Sequence, residues 1–358
     1  MMIRKKILRF FIALLIILMV TGCEKDKITA PFSVQTENNA KLLSYLEEKG
    51  DIINNILLPV IQAEEVYNNL NNYLVIDLRD SSDFLEGHIE GAKNIPNDSL
   101  FYYIGTNYTR FSKVVLVSAS GQSAAYHSSL LRIAGFTNIY YMNYGMASWN
   151  TFFSSVWTDR LTTYPDLGIF SHTLYPKKNY SPLPNISLNS PDQSIKDFVQ
   201  ARINALIKEG FNEDFNSVSS KSALTFNDWV NTNPQIYLIC TGPAMLYNSN
   251  PYSTNTYHPT GAVLYQVPPD PSDFRSISYL QTLPTDSTIA IYSGTGQESA
   301  FYTAYLRLLG YDARSVLFGM NNIDNDMLFH SPLISPYAYK TEYIMNYPYI
   351  TGKSTSAH

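Results

Sequence analysis

One loop occurs twice in this chain of 358 residues. Val115-Leu116-Val117-Ser118-Ala119-Ser120-Gly121-Gln122-Ser123-Ala124 returns as Ala290-Ile291-Tyr292-Ser293-Gly294-Thr295-Gly296-Gln297-Glu298-Ser299. In each copy an apolar run enters a small, Gly-containing turn and passes into a helical pattern. A shift of 175 residues superposes Ser118 on Ser293, Gly121 on Gly296, Gln122 on Gln297, Leu131 on Leu306, Arg132 on Arg307 and Gly135 on Gly310. Gly145-Met146 reappears one residue early as Gly319-Met320, and upstream a shift of 170 pairs His88 with His258 and Gly91-Ala92 with Gly261-Ala262. So long a period constrains the chain to two copies of one domain rather than a solenoid. Units of about 130 to 160 residues are large enough to bury a core each.

The apolar spacing predicts how each unit begins. Leu42, Leu43 and Leu46 predict a helix from Ala40 to Gly50, and Ile195, Phe198, Val199, Ile203, Leu206 and Ile207 predict one from Ile195 to Gly210. Gln62 to Val66 and Thr225 to Trp229 read as matching short helices ahead of a central strand. Leu161 to Asp192 carries Pro165, Pro176, Pro182, Pro184 and Pro191, so an extended connector is expected there, and Asn248 to Thr260 reads as a loop. Alternating strands and helices imply α/β domains, each a mostly parallel sheet with helices on both faces.

The first copy has further landmarks. Val75-Ile76-Asp77-Leu78-Arg79, Asp83-Phe84, Gly87-His88-Ile89, Gly91-Ala92 and Asn94-Ile95-Pro96 precede the loop, and Leu131, Gly135-Phe136, Gly145 and Trp149 follow it. Over roughly residues 60 to 150 this order and spacing resembles the rhodanese family. The second copy reads Ile239-Cys240-Thr241-Gly242 in place of the Asp-x-Arg pair and has no Trp at its closing turn. The resemblance implies a tandem rhodanese-like protein with the sulfurtransferase fold, in which Ser118 and Ser293 stand where active members carry the persulfide-bearing cysteine.

The N-terminus predicts where the chain works. Arg4, Lys5, Lys6 and Arg9 precede an apolar stretch from Phe10 to Val20, the layout of a secretory signal peptide. Val20-Thr21-Gly22-Cys23 resembles a bacterial lipobox, which implies acylation of Cys23 and stable membrane attachment through more than one acyl chain. The expected division is a signal peptide over 1–22, a tether over 23–39, a first domain over 40–157, a linker over 158–192 and a second domain over 193–345. The expected location is the extracytoplasmic side of the cell envelope, on the periplasmic or outer-surface face. Cleavage would remove four basic groups and no acidic ones, moving the formal charge from −5 to about −9. That balance gives no reason to expect nucleic acid. Charged residues make up 15 % of the chain and Tyr fills 28 positions, so many Tyr rings are expected at the surface or in interfaces.

A strand entering a Gly turn and a helix aims backbone N–H groups into one concavity at the positive end of the helix dipole. Ser118, Ala119, Ser120, Gly121, Gln122 and Ser123, and Ser293, Gly294, Thr295, Gly296, Gln297 and Glu298, are therefore candidates for binding a small oxyanion. Arg79 could add positive field to the first site, and Glu298 would weaken the second. Serine cannot form the S–S bond of a persulfide, so no catalytic residue is assigned. A hydrolytic Ser/His pair using His127 lacks an orienting acid and a Gly-x-Ser-x-Gly elbow. The dinucleotide-like spacing Gly294-Thr295-Gly296 lacks its acidic partner. His88 and the Asp77/Arg79 pair read as structural, and the histidines show no ligand spacing, so neither metal nor cofactor is expected. With Cys23 lipidated, Cys240 is the sole remaining thiol and reads as an apolar filler. The favoured function is a non-catalytic anion-binding or partner-docking module in the envelope. The alternative is a divergent thiosulfate or persulfide sulfurtransferase, working through Cys240 or through a partner's thiol.

Overall fold

The computed structural model describes residues 34–55, 57–164, 168–187, 193–216, 221–232, 236–247, 257–329 and 332–352. The signal-like segment 1–22, Cys23 and residues 24–33 of the expected tether lie outside them. The first copy supplies β1 (Val60–Ile61), β2 (Tyr73–Asp77), β3 (Lys93–Asn94), β4 (Lys113–Val117) and β5 (Ile139–Met142), and the connector supplies β6 (Phe170–Ser171). The second copy supplies β7 (Ala223–Leu224), β8 (Ile236–Thr241), β9 (His258–Pro259), β10 (Val263–Tyr265), β11 (Thr288–Tyr292) and β12 (Ala313–Val316). One sheet has the order β1-β5-β4-β2-β3 and the other β7-β12-β11-β8-β10, with all neighbours parallel. Strand for strand the order is the same, so the repeat seen in the sequence is a repeat of topology. Val114 to Val117 and Ile289 to Tyr292 are buried throughout, as central strands covered on both faces must be.

Each central strand leads through its loop into a long helix, Gln122–Ile133 in the first copy and Gln297–Leu308 in the second. All twelve residues of Gln122–Ile133 are buried, including Ser128, Ser129 and Arg132. A helix enclosed on every side needs more than its own sheet to cover it. The cover is the other copy: Leu130, Leu131 and Ile133 share one hydrophobic core with Phe301, Leu306 and Leu309. The opposite face of each sheet has its own cluster, around Val75, Val117 and Trp149 in the first copy and Leu238, Ala290 and Tyr292 in the second.

The helices that open the two units also cross the boundary. The first runs Val34–Glu48, so residues 34–39 are helical rather than tether. Asn39 is buried, and its Nδ2 donates to Pro184 O (3.2 Å) in the connector and to Leu309 O (2.7 Å) in the second copy. The second runs Ile195–Glu209, starts at Ser194, whose hydroxyl accepts from Asp197 N, and stops at Gly210 with φ 77°. Its Phe198, Val199, Ile203 and Ile207 enter the core shared with the first copy, while Arg202 donates within its own copy to Leu308 O and Arg307 O, satisfying carbonyls at the end of the Gln297–Leu308 helix.

The segments that follow the two domains are exchanged. After the first copy, Thr162 N donates to Asn321 O (3.0 Å) and Tyr164 N to Ile323 O (3.1 Å), and β6 pairs antiparallel with β9. After the second copy, Met345 N donates to Ser148 O (3.0 Å) and Tyr347 N to Trp149 O (2.9 Å), and Ile350 forms an antiparallel bridge with His88. Each copy thus wears the tail of the other. A further expectation is corrected. Within the stretch expected to be a loop, His258–Pro259 is a strand because β6 pairs with it, and residues 248–256 lie outside the described residues. Among the described residues ten Tyr are buried, Tyr126, Tyr141, Tyr302 and Tyr339 of them in the core between the two copies, while most others are half-buried, and hydroxyls such as Tyr339 Oη find backbone carbonyls.

Candidate functional site

The two loops share one internal geometry. Ser118 Oγ accepts from Gly121 N (3.1 Å) and Ala124 N (3.2 Å); Ser293 Oγ accepts from Gly296 N (3.1 Å) and Ser299 N (3.2 Å). Gly121 and Gly296 carry φ of 86° and 76°, which a side chain would strain. A Cβ on Gly145 would overlap Ser118 O, and one on Gly319 would overlap Ser293 O, so each loop is closed from behind by a glycine that no other residue can replace.

The loops also hold each other. Gln122 Oε1 accepts from Phe318 N (2.8 Å), and Gln297 Oε1 accepts from Tyr144 N (2.9 Å). Tyr144 and Phe318 occupy equivalent positions with φ of 57° and 62°, unusual for bulky residues. In both cases the positive φ accompanies an amide bonded to the opposite copy. Ser118 is 1 % exposed and Ser293 0 %, so neither loop forms the open cradle expected from the sequence.

The first loop is filled by a carboxylate from the other copy. Ser120 N (3.2 Å) donates to Glu213 Oε1, while Ser123 N (3.0 Å), Ser118 Oγ (3.1 Å) and Ser120 Oγ (2.7 Å) donate to Glu213 Oε2. Of the expected donors, Ser120 N and Ser123 N thus meet an anion, while Gly121 N is turned onto the serine oxygen. Glu213 follows the Gly210 stop, with Phe211 packed on Tyr126 and Phe215 lying beneath the Arg160 guanidinium. Sequence reasoning missed it, because nothing in Phe211-Asn212-Glu213-Asp214 marks a residue that reaches 95 positions back to Ser118.

The second loop is covered differently. The Tyr337 ring lies against Gly294, and Asn321 Nδ2 donates to Gly294 O (2.8 Å). Burial pushes the Glu298 carboxyl up to about 7. Arg79 makes a bidentate pair with Asp77, donates to Gly87 O (2.7 Å) and stacks on Phe153. It also lines, with Ala119, Asp83, Glu86, Phe152 and Phe153, a cavity of about 210 Å³ beside the first loop. His88 and His258 are matched braces: each Nδ1 lies 2.8 Å from a backbone carbonyl, and each ring stacks on an aromatic one, Phe84 or Tyr247. His127 Nδ1 lies 2.8 Å from Ser123 O, farther (3.4 Å) from Ser123 Oγ, and burial lowers its pKa. Cys240 is buried in β8, and burial raises its thiol pKa. Among the described residues no group of three or more His, Cys, Asp or Glu could hold a metal ion, and no helix is long and apolar enough to cross a membrane.

Parallel sheets flanked by helices, with a glycine loop joining each central strand to a buried helix, place the chain among doubly covered α/β proteins. Residues 62–151 match the rhodanese-like domain family. The thiosulfate sulfurtransferase GlpE of Shewanella oneidensis is 32 % identical over 76 residues, which are 21 % of this chain and 74 % of that protein. The protein of the same name from Pseudomonas fluorescens is 34 % identical over 83 residues, 23 % of this chain and 74 % of its own. A rhodanese-related crystal structure from Thermoplasma volcanium shares 26 % identity over 25 % of this chain and 88 % of its own, with a TM-score of 0.22. The chain belongs to the rhodanese-like family.

Proposed function

We propose that the chain is a non-catalytic, membrane-anchored tandem rhodanese-like lipoprotein of the bacterial cell envelope whose first loop serves as a receptor for an anionic group. The observation that carries this reading is serine at both loop heads, each hydroxyl seated on two backbone N–H groups. That position would stabilise a thiolate in a sulfur-carrying relative, but an oxygen there cannot hold sulfane sulfur. Cys240 offers no substitute, since it is buried and its thiol is held protonated. The anionic group is a small oxyanion or an acidic side chain of an envelope partner, because backbone donors at a helix start favour negative charge whatever its source.

Incubation with thiosulfate and cyanide should yield no thiocyanate above the buffer rate, and mass spectrometry should find no added sulfur on any residue. A persulfide on Cys240 would overturn the non-catalytic reading in favour of the sulfurtransferase alternative. For the anchor, Cys23→Ser should move the protein out of the membrane fraction. Retention there as an unprocessed chain would mean that residues 1–22 are an uncleaved anchor.

A further inference from the structure

The first loop already has its anion. Its helix, Gln122–Ile133, has no acidic residue in its first turn, whereas Gln297–Leu308 has Glu298 there. The repeat register places Ser123 opposite Glu298, so the first copy lacks the carboxyl group that the second carries within its own helix. Glu213 supplies it from outside, through two backbone N–H and two hydroxyl donors. Its placement is built: Phe211 is buried on one side of it, and Phe215 is held between Phe318 and the Arg160 guanidinium on the other.

We propose that Glu213 is the resident ligand of the first loop, an intramolecular carboxylate that keeps the site closed to free oxyanions until the 211–216 segment is displaced. This inference rests on the anion-receptor reading above. A tethered ligand acts at an effective concentration of millimolar or more, so a weak external anion does not compete with it. Removing the carboxylate leaves the Ser120 and Ser123 N–H groups and two hydroxyls aimed at one point. Those donors suit the tetrahedral oxygens of sulfate or thiosulfate as well as they suit a carboxylate.

The test uses the full mature chain as wild type, Glu213→Gln and Glu213→Ala. Sulfate is titrated against chloride at matched ionic strength. Melting temperature and the ¹⁵N amide resonances of Ser120 and Ser123 are read together. Glu213→Gln keeps the side-chain shape, so binding can be read even where the alanine variant folds poorly. The wild type should behave alike in both salts. The variants should bind sulfate saturably, about tenfold or more tighter than the wild type, with the two amides shifting and the melting temperature rising with the logarithm of sulfate concentration. Equal sulfate binding by wild type and variants at these amides would overturn the role of Glu213 while leaving the receptor reading intact. No binding by any of the three would overturn both.

Discussion

At Ser118 and Ser293 the hydroxyl oxygen sits where two backbone N–H groups would stabilise negative charge, yet the neutral serine places none there. In the first loop the charge sits one atom farther out, on Glu213, 3.1 Å from Ser118 Oγ. A Ser118→Cys variant should therefore remain a poor nucleophile, because the adjacent carboxylate opposes thiolate formation. Pairing it with Glu213→Gln should raise alkylation of that thiol at neutral pH by about tenfold or more, as followed by mass spectrometry. Equal rates would mean that the carboxylate does not set the local charge. Glu298 gives a pH prediction at the same scale. Its folded pKa, raised by burial to about 7, exceeds the ordinary value of 4.5 expected when unfolded. Its protonated form therefore favours the folded state, and this contribution is complete below about pH 4.5 and lost as pH rises through 7. Glu298→Gln should be more stable than wild type at pH 8, by roughly 1–3 kcal/mol, and no more stable at pH 4, as measured by urea unfolding.

Between elements, the loops are joined by one reciprocal exchange, Gln122 to Phe318 N and Gln297 to Tyr144 N. Replacing either glutamine by alanine leaves a buried N–H unpaired, which costs about 1–3 kcal/mol. The two variants should lose similar stability in chemical denaturation, and a large inequality would mean that the two exchanges are not equivalent. The elements themselves were legible. Continuous apolar runs at 114–117 and 289–292 mark central strands, and the helix ends at Gly210 and Gly310 carry a residue suited to positive φ. The loops' positions in the chain were legible too, but their surroundings were not. Sequence periodicity reports what one element buries, whereas Glu213, Tyr337 and the paired glutamines act across 43 to 196 positions through contacts that only tertiary packing creates. The start of the first helix was misplaced for a related reason. Asn39 breaks the apolar pattern, yet it is buried because the connector and the second copy each offer it a carbonyl.

At the scale of the whole molecule, the shared core and exchanged tails make the two copies one cooperative body. A protease site inserted after the exposed Gly168 should, once cut, leave two fragments that co-elute in size-exclusion chromatography. Their separation without denaturant would show that the shared core does not hold the copies together. The repeat in the sequence announced two domains but gave no sign of this exchange, since the tails contain few periodic apolar residues and their pairing is made by backbone groups common to any sequence. The C-terminal strap has one more consequence, which concerns time rather than space. During synthesis the turn at His88 is complete early, but Ile350, which bridges it, and Pro348, whose carbonyl receives Trp149 Nε1, emerge only after the whole second copy has been made. The half made first is finished after the half made second, and until the residues around 348–350 leave the ribosome it must wait with its aromatic edge uncovered.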